Sequence, residues 1–567
     1  MNFKVKNRHI FILFLSAVII YGIIALFFTS TVHVEVDEEL YMALAKSFHY
    51  LGRFEVDGNI VNYNCVLYSL LISLAYYFYS PESILFLMRL VGILSMCSAV
   101  FPIYLLAKMI LEDDRKAFVF SGMTLMLPYM FDCMYLMQEV LSYPLFLWTA
   151  YFLYQAFRRP DMDEGRTWLL VSALFSALCF FAKTYLFFIP IAVNMCFALW
   201  GFIKKEERNT AVRLLLYDVV YLVCTVSVYL VIRSINGGAE GSNHYATQFS
   251  ALFPISIWTF ISGVICIIIY FSLLVFNMGV FPVGALIFNG NKLNKNQRYF
   301  RDFCLIACIL LVFEIVFLIV LTEEGVPTIP HKFLFRYFQV LVPPILIIFI
   351  KLLEEQDFLK NRIMWILSGG SLCVCLCYFG YMQGITRQAI ADGYLYLTLE
   401  NAAKYVLPYV DVAAVALAGA AIIVTVGLIC KGRMGVVNKV FKLGVVCIML
   451  FWILNCIQLP VYTNIIADGK TIQSDSIKIA KYLGKTDCDL YYLVVSEEDE
   501  YSYLRNFYGY VSQTYRVIAV EELEQVTSAA DGKRTLCLIS SQRGLEIEGM
   551  EWINLETDRL YLYLMPN

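Results

Sequence analysis

The chain has 567 residues, 60% of them hydrophobic and 16% charged, with a mean hydropathy of +0.69, against roughly 45 to 50% apolar and about 25% charged residues in a soluble globular protein. That composition excludes a soluble domain and points to a polytopic membrane protein. The formal net charge is −3, from 43 Lys+Arg and 46 Asp+Glu, and the cations are spread over many short loops, which excludes nucleic acid as the partner.

The N-terminal stretch MNFKVKNRHIFILFLSAVIIYGIIALFFTST has a basic head and a long apolar run without a small-residue cleavage site, which predicts an uncleaved first transmembrane helix. A loop over 31–83 follows, holding Asp37 and Glu38 in VEVDEELYMALAKSF. Leu40, Tyr41, Leu44 and Phe48 fall on one face at helical spacing, so an amphipathic helix is predicted to start at Glu38. The Tyr-rich run from Val61 to Tyr79 is read as an interfacial or re-entrant helix, because a full span there would invert every later loop.

Further spans are predicted near 84–110, 117–132, 140–157, 167–182, 185–203, 214–232, 260–288, 303–321, 338–352, 363–381, 409–430 and 443–459, making about thirteen with the first. Basic clusters fall in alternate loops: Lys4, Lys6 and Arg8; Arg115 and Lys116; Arg158, Arg159 and Arg166; Lys204, Lys205 and Arg208; Lys292, Lys295, Arg298 and Arg301; Lys351, Lys360 and Arg362; Lys431, Arg433 and Lys439. The positive-inside rule makes these loops and the N-terminus cytoplasmic, and turns the Asp37–Glu38 loop outward. From Pro460 the composition becomes water-soluble, with strands in DLYYLVV, YRVIAV and TLCLIS alternating with helices. The expected architecture is therefore an all-α polytopic membrane domain over 1–459 and a small extracytoplasmic α/β domain over 460–567. That tail lacks a GxGxxG fingerprint, which leaves a structural or acceptor-recognition role as its reading.

Most of the 17 cysteines sit in apolar runs and read as small hydrophobes, while Cys488 and Cys537 could pair if the tail is exported. His33, His49, His244 and His331 lack the spacing of zinc ligands. Within the spans, charges are scarce apart from Asp218 and Glu314. Polar groups gather instead at outer helix ends: Asp37, Glu38, Asp132, Glu139, Lys183, Arg233, His331, Lys332, Arg336, Tyr337, Arg387 and Lys404.

The Asp-Glu pair in the first outer loop, the acidic loop FDCMYLMQEVLSYPLFLWTAYFLY, the lysine closing ALCFFAKTYLFFIP, and HKFLFRYFQVLVPPILI late in the chain together resemble the C-fold (GT-C) integral-membrane glycosyltransferases. Within them, the spans and the tail are most similar to the bacterial lipid A aminoarabinose transferase and protein O-mannosyltransferase-like enzymes. The resemblance implies transfer of a hexosyl or pentosyl group from a polyprenyl-phosphate donor to a glycan, lipid or protein acceptor on the outer face, with inversion at the anomeric carbon.

Such a reaction needs a base for the acceptor hydroxyl and cations for the departing phosphate. Asp37 is assigned as general base, Glu38 as the group positioning acceptor or cation, and Glu139 as a second acid that orients substrate or helps bind metal. Lys183, Lys332, Arg336 and Tyr337 are assigned to the lipid phosphate. No cofactor follows from the sequence, but Asp37, Glu38 and Glu139 leave Mg2+ or Mn2+ open. Structural readings stand beside these: a helix N-cap with an acidic first turn for Asp37 and Glu38, a span start for Glu139, snorkelling for Lys183, and an interfacial anchor for Arg336–Tyr337. The alternative functions are a lipid-linked sugar flippase or transporter, and a polymerase or ligase of lipid-linked glycans.

Overall fold

A computed structural model describes residues 5–28, 36–56, 59–61, 63–78, 81–159, 163–204, 210–238, 256–278, 281–288, 293–321, 334–353, most of 366–378, 467–483, 490–495, 516–519, 536–540 and 550–564 except 559. It is dominated by helices made from the apolar runs. Those before residue 200 are α1 (Asn7–Phe28), α2 (Val36–Leu51), α3 (Leu67–Ser73), α4 (Pro81–Ser98), α5 (Val100–Leu111), α6 (Asp114–Thr124), α7 (Glu139–Arg158), α8 (Asp163–Ala182) and α9 (Phe188–Ala198). Beyond it come α10 (Thr210–Ile235), α11 (Ile257–Asn277), α12 (Phe281–Ile287), α13 (Lys295–Ile315), α14 (Val342–Leu352) and α15 (Ala467–Leu483).

Seven of the described helical stretches are long and apolar enough to cross a bilayer. They are Asn7–Leu26, Ser83–Leu111, Asp163–Ala182, Thr184–Ile203, Thr210–Ile235, Ile257–Val275 and Phe335–Leu352. With α7 and α13, whose length also suffices but whose Tyr, Gln, Arg and Asp residues lower their hydropathy, they make a multi-pass membrane protein. The spans expected at 409–430 and 443–459, most of that at 363–381, and the boundary at 459/460 lie outside the described residues.

Two expected spans differ in form. The one at 117–132 is the short helix α6 followed by a 3-10 turn over Pro128–Met134, because Pro128 has no N–H for a continuous ladder and Leu127 is extended. The two pieces still sum to a rise of about 30 Å, the thickness of a hydrocarbon core. The long segment 260–288 breaks between α11 and α12, just ahead of Pro282.

α7 and α8 form the centre of the bundle, with α10 packed on α8, α4 and α5 on α7, and α9 against α13. The expected amphipathic helix is α2, and the Tyr-rich run is α3 continued by a 3-10 turn over Leu74–Tyr77, too short to span. The hairpin of β1 (Glu55–Val56) and β2 (Asn59–Ile60) follows α2. Asn236, just beyond α10, holds this region: its Oδ1 accepts from Phe54 N at 3.0 Å and its Nδ2 donates to Val61 O at 2.9 Å.

The C-terminal residues form a five-stranded sheet of β3 (Leu490–Val495), β4 (Arg516–Ala519), β5 (Leu536–Ser540), β6 (Glu551–Ile553) and β7 (Tyr561–Leu564), ordered β4-β3-β5-β7-β6. The three strands read from sequence pair in parallel, while β6 and β7 add an antiparallel edge that sequence reading missed. α15 is tied to it where Asp475 Oδ2 accepts from Asp558 N and Leu560 N.

Candidate active site

Four segments far apart in sequence bring their charged residues together at one end of the bundle. Asp37 lies in the first turn of α2, inside the helix rather than ahead of it, so it is a first-turn acid and not the N-cap. Glu139 is the first residue of α7. Lys183 is the extended residue between α8 and a 3-10 turn over Thr184–Phe187, and its N–H still donates to Cys179 O at 2.8 Å. Arg336 belongs to a 3-10 turn, Phe335–Leu341, leading into α14. Each therefore sits at the end of a packed element, which fixes its position better than a free loop would.

Lys183 Nζ lies 3.2 Å from Glu139 Oε1 and donates to Tyr41 Oη at 3.2 Å. Arg336 bridges the two carboxylates, with Nε 3.7 Å from Glu139 Oε1 and Nη2 3.6 Å from Asp37 Oδ2. Aromatic rings enclose the cations: Lys183 is 5.8 Å from the Tyr41 centroid and 5.9 Å from that of Tyr337, and the Arg336 guanidinium lies 5.5 Å from Tyr337. Tyr185 meets Tyr337 edge-on at 4.6 Å.

Two cations thus face two carboxylates, but the carboxylates are not alike. The Glu139 side chain is 1% exposed and the Asp37 side chain 37%. Glu139 has Lys183 and Arg336 beside its buried carboxylate. Burial works to lower the pKa of Lys183, and the charge of Glu139 overcomes it, leaving the ammonium well above its ordinary value. Asp37 combines a cation at its side with an opening to solvent. Burial, followed by the charges of Asp37 and Glu139, pushes Tyr41 up, so it remains a neutral phenol.

Glu38 is buried beside this cluster, and its Oε1 accepts from Leu136 N at 2.7 Å, which binds the start of α2 to the segment entering α7. The site residues that sequence reading missed include Tyr41, Tyr185 and Gln138. Gln138 Nε2 donates to Cys65 O at 2.6 Å, and Cys65 Sγ lies 2.6 Å from Thr184 Oγ1, beside Lys183. Only Tyr41 carried a signal, one helical turn from Asp37. Lys332, His331, Arg387 and Lys404 lie outside the described residues. Asp132 is buried in the turn before α7, and Arg233 is in the last turn of α10.

The carboxylates offered for a divalent ion do not fit one as arranged. Glu139 is compensated by Lys183 and Arg336, Glu38 commits Oε1 to a main-chain N–H, and no group of three ligand-type residues is gathered among the described residues.

No protein-family model matches the chain, and no curated protein matches it in sequence. Among solved structures it is similar to ArnT from Cupriavidus metallidurans bound to undecaprenyl phosphate, with a TM-score of 0.57 and 15% identity over 99% of this chain and 98% of that one. The apo state of the same ArnT gives a TM-score of 0.54 and 14% identity over 98% and 97%. An Archaeoglobus fulgidus oligosaccharyltransferase aligns at a TM-score of 0.38 and 11% identity over 92% of this chain and 67% of that one, too low to carry an argument. At such identities the likeness speaks for architecture: the chain has a GT-C-like fold.

Proposed function

We propose that this protein is a membrane glycosyltransferase that moves a sugar from a polyprenyl-phosphate donor to an acceptor hydroxyl on the outer face, with the N-terminus cytoplasmic and the C-terminal α/β part outside. The observation that carries this reading is the bridge of Arg336 between half-exposed Asp37 and buried Glu139, with Lys183 behind. The undecaprenyl phosphate named with the similar ArnT structure supports a polyprenyl carrier.

In this reading the acceptor oxygen attacks the anomeric carbon as the bond from that carbon to the phosphate oxygen breaks. The hydroxyl proton passes to Asp37, and the electron pair leaves on the polyprenyl phosphate. Arg336 and Lys183 stabilise the charge that grows there, aided by the hydroxyls of Tyr337 and Tyr41. Attack from the face opposite the phosphate inverts the anomeric centre. Glu139 keeps both cations charged and in place in the absence of donor, and Glu38 fixes the approach of α2 to α7. No step is routed through a metal ion.

Asp37→Asn tests the reading. In purified protein supplied with a polyprenyl-phosphate sugar and acceptor, the variant is expected to lose transfer by about 100-fold or more while its thermal unfolding is unchanged. Near-normal turnover sinks the assignment, and movement of the donor across liposomes without acceptor would favour a flippase instead.

A further inference from the structure

The helix Thr184–Ile203 starts next to Lys183 and ends next to Lys204, so its far end lies about 30 Å from the candidate site. There Lys204 Nζ lies 3.5 Å over the ring of Trp200 and 3.3 Å from Asp302 Oδ2. Asp302 Oδ1 is already taken by Arg301, through Nε at 3.0 Å and Nη2 at 2.7 Å. One carboxylate therefore serves two cations.

More positive charge surrounds it. Lys295 Nζ is 5.4 Å from the ring of Tyr299, which packs 4.0 Å from Trp200, and Arg298 follows one turn along α13. Both Lys295 and Arg298 are exposed. Arg213, at the start of α10, reaches Ala156 O at 3.0 Å. Trp200 is buried, and its indole N–H finds no hydrogen-bond partner among the described residues. Beside these cations the surface turns apolar at once, with Phe202 and Ile203 exposed ahead of Lys204 and Val212 and Leu215 exposed on α10.

Among the described residues, a surplus of cations bordered by exposed apolar side chains matches an amphiphile with an anionic head. We infer that this end of the bundle binds an anionic phospholipid of the leaflet in which it lies. The lipid phosphate meets Lys204, Lys295 and Arg298, and the acyl chains run along Phe202, Ile203 and the exposed face of α10. A free phosphate would use the cations but not the apolar border. The inference is independent of glycosyl transfer.

Native mass spectrometry of the purified full-length protein with added phosphatidylglycerol or phosphatidylcholine tests it. The wild type is expected to retain phosphatidylglycerol preferentially and to lose it as salt is raised. Lys204→Gln, Lys295→Gln and Arg298→Gln should each weaken retention about fivefold, with the triple variant losing the preference. If the triple variant does not fold, the exposed pair Lys295→Gln/Arg298→Gln carries the test. Equal retention of both lipids by the wild type, unchanged retention in the variants, or displacement by millimolar inorganic phosphate overturns the inference.

Discussion

Lys183 and Lys204 bracket one helix, and the charge clusters they belong to are built on opposite plans. Around Lys183, two cations meet two carboxylates, the Lys183–Glu139 pair is buried, and charge balance is nearly complete before any substrate arrives. Around Lys204, two cations share Asp302, Lys295 and Arg298 lie exposed nearby, and the Lys204 side chain is 36% exposed while that of Asp302 is 9% exposed. A balanced, enclosed cluster holds its members in fixed places, which suits chemistry. An unbalanced, open one holds a field that the surrounding lipid can answer.

Removing charges breaks this comparison with graded effect. After loss of Asp37, the proposed base, the largest effect is expected from Lys183→Met, which strips Glu139 of its nearest cation and leaves a buried carboxylate poorly compensated. The expected cost is about 3 to 5 kcal/mol of stability, together with loss of transfer, read from thermal unfolding and a donor-transfer assay. Glu139→Gln should cost less, because Arg336 keeps Asp37 and Lys183 keeps Tyr41; unfolding as severe as in Lys183→Met would show that the balance, not the cation, holds the site. At the opposite end of the helix, Lys204→Gln should leave unfolding within about 0.5 to 1 kcal/mol of wild type, since Arg301 still pairs Asp302.

The response to pH sharpens the same contrast. The elevated Lys183 contributes stability present below its ordinary 10.5 and lost as pH rises through its higher folded value. Between roughly pH 5.5 and 9 Lys183 should therefore add no pH dependence. A slope in wild-type thermal unfolding across that window that vanishes in Glu139→Gln would contradict this. Away from both clusters the effect is of similar small size: Asp113, which caps α6 by accepting from Arg115 N at 2.8 Å and Lys116 N at 3.1 Å, should cost about 1 kcal/mol of stability when changed to Ala, read from thermal unfolding.

Sequence carried the membrane architecture well, because a bilayer demands long apolar runs and leaves few other ways to write them. It pointed to the charged residues of the candidate cluster for a related reason: Lys183 stands alone among apolar residues, Arg336 lies in an aromatic and apolar run, and Asp37 opens an amphipathic helix. The uncharged half was hidden. Tyr41 counts equally well as one more residue on the packed face of α2, and Gln138 and Tyr185 occupy positions that any interface helix could fill. Pairing between strands was also out of reach for β6 and β7, since three- and four-residue strands carry too little alternation to be seen.

The bond from Leu136 to Glu38 reads a side chain at one end and only the main chain at the other. Among relatives of this protein the two positions should accordingly drift at different speeds. Position 136, whose side chain is buried in the core, can exchange among apolar residues that keep the N–H, proline excepted, whereas position 38 must supply an oxygen at the end of a two-carbon arm. A sequence profile would show the partner as an apolar class and the acid as a particular side chain, though they make one contact between them.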